Sequence, residues 1–276
     1  MRHGELKHIF DTLERCFDEL RIDYYLIDAL ARQIWYEKEG VNFRTTKDVD
    51  YAVLMSSREE YQTVRQYLID RENFTAYKGD AFVLISPDGI QVDILPFGEI
   101  ETDEEVIFSG QGMTNIKVDG MKEVYHYGTA SVTLETGNSF RVATLSAIAL
   151  LKFIAYDDRP DQRQKDVVDI ANIARHFFNL HEELIYEQHN DLFDEEKVAS
   201  FDSIGPIVLG REMKKIAEHS PKLRERLNKI MENHLQMKEK SIFLRLILQT
   251  MSEEADLQTA HRLLSDIRGG FCSAIL

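Results

Sequence analysis

Apolar side chains recur at three- and four-residue spacing over residues 5–20 (Leu6, Ile9, Phe10, Leu13, Phe17 and Leu20), which predicts an amphipathic helix with one buried stripe. The pattern then shortens. Residues 23–27 are aromatic and β-branched and predict a strand, followed directly by a helix over 29–38 with Asp28 as its N-cap. Residues 49–55 predict a second strand. Ser56 and Ser57 cap a helix over 58–70, whose stripe is Tyr61, Val64, Tyr67 and Leu68. Extended pieces follow at 74–77, 81–85 and 90–95, and Pro87-Asp88-Gly89 between the last two predicts an antiparallel hairpin. Short strands continue to Val142, including 131–135 and 139–142 around Thr136-Gly137-Asn138.

From Thr144 onward the period becomes 3.6 and stays there. Helices are predicted over 144–157, 163–180, 192–200, 206–219, 221–237, 241–250 and 254–267, with Pro206 and Pro221 at first-turn positions. The chain reads as α+β in its first half and all-helical in its second, with no internal repeat. The expected division is an α+β domain over 1–142 and a helical domain over 143–276.

Composition narrows the class. Hydrophobic residues make up 43% of the 276 positions and charged residues 29%, which is globular. Cys16 and Cys272 offer neither a disulfide framework nor a paired-cysteine metal site, so a reduced setting is expected. No apolar run follows the first residues and none approaches the ~18 residues of a membrane span, so the expectation is a cytoplasmic protein without membrane contact. Acidic residues exceed basic ones by 48 to 33, which argues against a broad nucleic-acid grip. Over 205–250 the sign reverses, with ten basic and five acidic side chains. That stretch fits a solvated helix face or a local polyanion contact.

Chemistry concentrates around Arg44-Thr-Thr46-Lys-Asp48-Val-Asp50. Asp48 and Asp50 are two apart at the opening of a strand, so both carboxylates project from one face. Crowded carboxylates repel, and a divalent cation relieves the repulsion. Magnesium suits them, since it takes hard oxygen ligands from one or two carboxylates and completes its shell with phosphate and water. The same pattern also occurs as turn or cap residues on a wet surface. Asp93, in the apolar run 90–95, is either an edge-strand acid facing water or a buried carboxylate that must be paired or metal-bound. With Asp48 and Asp50 it would complete a two-metal arrangement for displacement at phosphorus. Lys152 is an isolated cation among Ile148, Leu151 and Ile154; it could meet a phosphate or snorkel to solvent. Asp166 and Asp169 share one helical face. The histidines lack zinc spacing, and no phosphate-binding glycine loop or nucleophile elbow is present.

These residues together, Arg44-x-Thr46-x-Asp48-x-Asp50, then Val92-Asp93-Ile94, then Leu151-Lys152 through Ala155 with Arg159 and Lys165-Asp166-x-x-Asp169-Ile170, resemble the AbiEii/AbiGii-type nucleotidyltransferases. These are abortive-infection toxins and relatives within the polymerase-β-like superfamily. The resemblance covers about residues 20–180. It implies a mixed sheet with flanking helices, a helical region completing the cleft, NTP with two magnesium ions, and transfer of a nucleoside monophosphate to an acceptor hydroxyl of RNA, protein or a small molecule. By that carry-over Asp48, Asp50 and Asp93 hold metal and Asp93 activates the acceptor. Lys152 faces the triphosphate, and Arg44, Thr46, Asp166 and Asp169 line the cleft. An antitoxin-like protein is the implied partner.

One position departs from the family pattern. A Gly-Gly or Gly-Ser pair, whose small residues let a triphosphate approach the helix N-terminus, is replaced here by Asp28-Ala29. Asp28 sets a negative charge where phosphate is expected, with Arg32 one turn on to offset it. An active enzyme and a catalytically impaired binding module with a protein partner are both compatible with that substitution.

Overall fold

The computed structural model describes residues 3–38, 48–108, 112–193 and 200–273. The chain divides into two units, Met1–Thr144 and Leu145–Leu276.

The first unit runs α1 (His3–Leu20), β1 (Tyr24–Ile27), α2 (Asp28–Lys38), β2 (Val49–Leu54), α3 (Arg58–Glu72), β3 (Thr75–Ala76), β4 (Val83–Ile85), β5 (Gln91–Phe97), β6 (Glu105–Ile107), β7 (Asn115–Lys117), α4 (Met121–Tyr127), β8 (Thr129–Thr133) and β9 (Ser139–Ala143). Seven strands form one mixed sheet in the order β3-β4-β5-β2-β1-β9-β8, and β6 and β7 pair separately. β2 lies antiparallel to β1 and parallel to β5. β4 and β5 pair antiparallel around the predicted turn, where Gly89 takes a φ of 78° and its N–H bonds to Ser86 O.

Aromatic side chains fill both faces of this sheet. On one, Phe17, Tyr51, Phe140 and Phe10 form a chain of ring contacts with centroids 5.4 to 6.3 Å apart. On the other, Tyr25 packs edge-on against Phe97 and its hydroxyl donates to Met121 O, so the hydroxyl enters the core without an orphaned donor. α3 begins where predicted: Ser57 is extended and its hydroxyl accepts from Glu60 N–H.

The second unit is helical: α5 (Leu145–Asp158), α6 (Gln164–Leu180), α7 (Glu182–Gln188), α8 (Ile204–Ala217), α9 (Pro221–Met237), α10 (Ile242–Leu248) and α11 (Leu257–Cys272). α8 and α11 cross at glycines. A Cβ on Gly210 would stand 2.0 Å from Ile267 O, and one on Gly270 would stand 1.9 Å from Ile207 O, so only glycine permits this approach. Among the described residues no helix is long and apolar enough to cross a membrane.

Several local expectations are corrected. The seven-residue helices α4 and α7 are too short to announce a 3.6 period and escape the pattern. Of the helix expected over 192–200, residues 192 and 193 belong to a single tight turn at Asn190–Phe193, and 194–199 lie outside the described residues. The last helix starts at Leu257 because Asp256 caps it, its carboxylate accepting from Thr259 N–H.

Candidate metal and nucleotide site

Strand pairing brings four aspartates to one end of the central strands. Asp50 on β2 and Asp93 on β5 are register partners in a parallel pair, so their side chains rise from the same face of strands about 4.8 Å apart. Ile27, the last residue of β1, is the register partner of Asp50 on the other side, and Asp28 follows it directly. Asp48 precedes β2 by one residue and is exposed, while Asp50 and Asp93 are partly buried. Arg44 and Thr46 lie outside the described residues.

β5 is flanked by β4 and β2, so Asp93 is no edge-strand acid. Its carboxyl is pushed up to about 6, first by burial and then by the charges of Asp80, Asp48 and Asp28, while a hydrogen bond from Gln91 pulls the other way. Burial makes the larger part of this shift and the neighbouring acids add to it, so Asp93 is crowded by groups of its own sign. Clustered hard oxygen donors are what a magnesium ion requires, and Asp48, Asp50 and Asp93 fit that role by donor chemistry. They do not form a closed cage: no choice of one oxygen from each puts all three within 4.8 Å of one another. Like charges standing apart account for this.

Asp28 is not the predicted N-cap. Its φ is 56°, in the left-handed region, whereas an N-cap residue is extended. Aspartate is one of the few residues besides glycine that enters this region with modest strain. The backbone therefore keeps a conformation natural to glycine at the very position where the resembling family carries one. Arg32, one turn into α2, is buried.

In the second unit Lys152 does not snorkel. It is 5% exposed, and its ammonium lies 2.8 Å from Asp166 Oδ1 and 3.0 Å from Asp169 Oδ2. α5 supplies the cation, and the i, i+3 spacing on α6 turns both carboxylates toward it. Arg163 stands 3.9 Å from Asp166 Oδ2. Lys152 thus bridges a buried acid, Asp166, and a partly buried one, Asp169.

Sequence reasoning passed over Gln91 and Asp80. Gln91 Nε2 donates to Asp93 Oδ1 at 2.9 Å. The signal was available, since Gln91 is two residues before Asp93 and shares its face of the strand. Asp80 accepts from Phe82 N–H, and nothing in its local sequence points toward Asp93.

A mixed sheet with paired acids on adjacent parallel strands, continued by an all-helical unit, defines a nucleotidyltransferase-like α+β protein. The family model described as "Nucleotidyl transferase AbiEii toxin, Type IV TA system" matches residues 34–260, and the chain belongs to that family. No curated protein gives a significant match. Among solved structures, the antibiotic-resistance factor ANT(2'')-Ia is similar at 14% identity with a TM-score of 0.40, over 66% of this chain and 86% of that one. A CCA-adding enzyme in apo form is similar at 12% identity with a TM-score of 0.31, over 97% and 82%. The Thermotoga maritima CCA-adding enzyme complexed with tRNA is similar at 11% identity with a TM-score of 0.31, over 98% and 81%.

Proposed function

We propose that this chain is a cytoplasmic, magnesium-dependent nucleotidyltransferase that moves a nucleoside monophosphate from an NTP to an acceptor hydroxyl, as the toxin of a toxin–antitoxin pair. The observation that carries this reading is the register of Asp50 against Asp93, with Asp48 and Asp28 close enough to act on the Asp93 carboxyl. Asp48, Asp50 and Asp93 are the residues that would hold the metal, one or two ions. Bound there, magnesium would neutralise triphosphate charge and act as a Lewis acid at the reacting phosphorus.

Each side chain then has a task of its own. Asp50 projects beside Asp93 from a rigid central strand, which fixes both carboxylates without help from a loop. Asp93, lifted toward neutrality by burial and by neighbouring acids, is suited to take the proton from an acceptor hydroxyl at cellular pH. Left-handed backbone at Asp28 keeps the turn into α2 tight, and Arg32 brings positive charge one turn on. Lys152, Asp166 and Asp169 enter as a functional set through the family resemblance. Their burial as a charged group, which is costly unless retained for a purpose, supports that assignment.

The acceptor class we favour is RNA, given the basic excess over 205–250. The expected protein partner is an antitoxin. The test is transfer from α-³²P-labelled NTPs, each supplied with magnesium and with total RNA or with protein alone. Label should enter RNA with magnesium and stay out with Asp50→Asn; no labelled product with any acceptor would overturn the reading. A second reading, a nucleotidyltransferase-fold module that binds a protein partner without catalysis, draws on the charge of Asp28 at the glycine position. It predicts NTP binding, if any, that ignores both magnesium and Asp48→Ala in calorimetry.

A further inference from the structure

We infer that Gln91 is a positioning residue for the metal site, holding the Asp93 carboxylate in the orientation from which it ligates. The inference rests on the proposed role of Asp93 and deepens it. Gln91 and Asp93 sit at i and i+2 on β5, so both side chains leave the same face of the sheet. The Gln91 amide donates to Asp93 Oδ1 at 2.9 Å. Among the described residues no other donor reaches this carboxylate, and Oδ2 accepts no hydrogen bond.

That asymmetry matters for a group in this setting. The charges that act on Asp93 most, those of Asp80, Asp48 and Asp28, are of its own sign and offer its ionised form no attractive partner. A carboxylate's last torsion is broad and roughly two-fold, so without a tether the group turns. The amide N–H removes that freedom: it occupies one oxygen, favours the ionised form, and leaves the other oxygen for a cation. Gln91 is itself held in place, because β5 is paired on both sides and Gln91 is the register partner of Ile85 on β4. An outer partner of this kind orients a ligand without touching the ion, and its loss typically lowers metal affinity or activity by 10–100-fold. A glutamate at this position would add a further negative charge and withdraw the donor; glutamine supplies a donor with no charge.

The test is Mn²⁺ titration of the full chain, followed by electron paramagnetic resonance of the free ion, with melting temperature recorded for every variant. Gln91→Leu keeps the side-chain bulk and removes the donor. It should weaken Mn²⁺ binding by about tenfold at an unchanged melting temperature. In an Asp93→Asn background the same substitution should add nothing further, because its effect passes through Asp93. Gln91→Leu binding Mn²⁺ like the parent, while Asp93→Asn binds weakly, would overturn the positioning role and leave the metal site intact. So would an equal loss in both backgrounds. A parent chain that binds no Mn²⁺ would overturn the metal site and the positioning role together. A fall in melting temperature that accounts for the lost affinity would assign Gln91 to the fold instead, and a Gln91→Met variant that keeps its stability separates that outcome from loss of the donor.

Discussion

Asp50 and Asp93 stand abreast on adjacent parallel strands, register partners whose carboxylates share one face of the sheet. Neither is balanced by the other. Burial and the surrounding acids lift the Asp93 carboxyl to about 6, so the fold crowds carboxylates at this end of the sheet against their mutual repulsion. Sites that hold such a conflict are where function is expected, because the conflict costs stability and a purely structural sheet would have shed it.

Relieving the conflict should stabilise the protein and lower its metal affinity together. Asp93→Asn keeps the shape and can still accept from Gln91 through its amide oxygen. Measured by thermal unfolding at pH 8 in a chelator, its melting temperature should equal or exceed that of the parent. With the chelator removed, the same variant should bind Mn²⁺ more weakly than the parent. A large drop in melting temperature would show that Asp93 is needed for the fold.

Lys152 should behave in the opposite sense. Its ammonium is buried between Asp166 and Asp169, and truncation takes the cation away from a buried carboxylate and a partly buried one. Lys152→Ala should cost about 3–5 kcal/mol in denaturant unfolding, read from a probe in the helical unit. A change below about 1 kcal/mol, the range of exposed pairs, would mean that the cation is not the partner those acids depend on.

The crossing of α8 and α11 gives a contrast within one helix. Gly270→Ala would drive a methyl group into Ile207 O, and Gly210→Ala one into Ile267 O, so each should destabilise by at least about 1–3 kcal/mol. Gly269, one residue away, has nothing within 4 Å of a built Cβ. Gly269→Ala should raise stability by up to about 1 kcal/mol through helix propensity alone. Circular dichroism melts of the three variants check the ordering.

An acid-side dependence should arise from Glu212. Burial raises its carboxyl, but hydrogen bonds from His189 and Lys215 and their charges outweigh burial and hold it below its ordinary value of 4.5. Its folded-state value is therefore lower than its unfolded one. The contribution is complete above about 4.5, the unfolded value, and is lost as pH falls through the lower folded value. Glu212→Gln should be less stable than the parent at pH 7, and the gap should close as the pH is taken down through the carboxylate range. A gap independent of pH would assign the effect to packing.

The acidic motif was legible because its chemistry is local. Asp48 and Asp50 announce themselves by spacing, and Asp93 by standing in an apolar run. The hairpin at Pro87-Asp88-Gly89, the cap at Ser57 and the first-turn place of Pro221 were legible for the same reason, each being specified by a few adjacent residues. Strand order was not: that β5 lies inside the sheet beside β2 is a long-range pairing, and a single strand's composition does not separate an inner from an edge place. That Lys152 turns inward was not legible because its two partners sit 14 and 17 positions later on another helix. Asp28 looked like an N-cap in sequence, and only its backbone angle shows it holding a glycine's conformation.

The central claim is that Asp50 and Asp93 ligate a divalent cation together. Anomalous diffraction at the manganese edge, from crystals grown with Mn²⁺ and a non-hydrolysable NTP, tests it most directly. The account predicts a peak within about 2.0–2.3 Å of a carboxylate oxygen from each of these residues, typical of small hard cations. No peak between them, or manganese bound only at other acids, would contradict it.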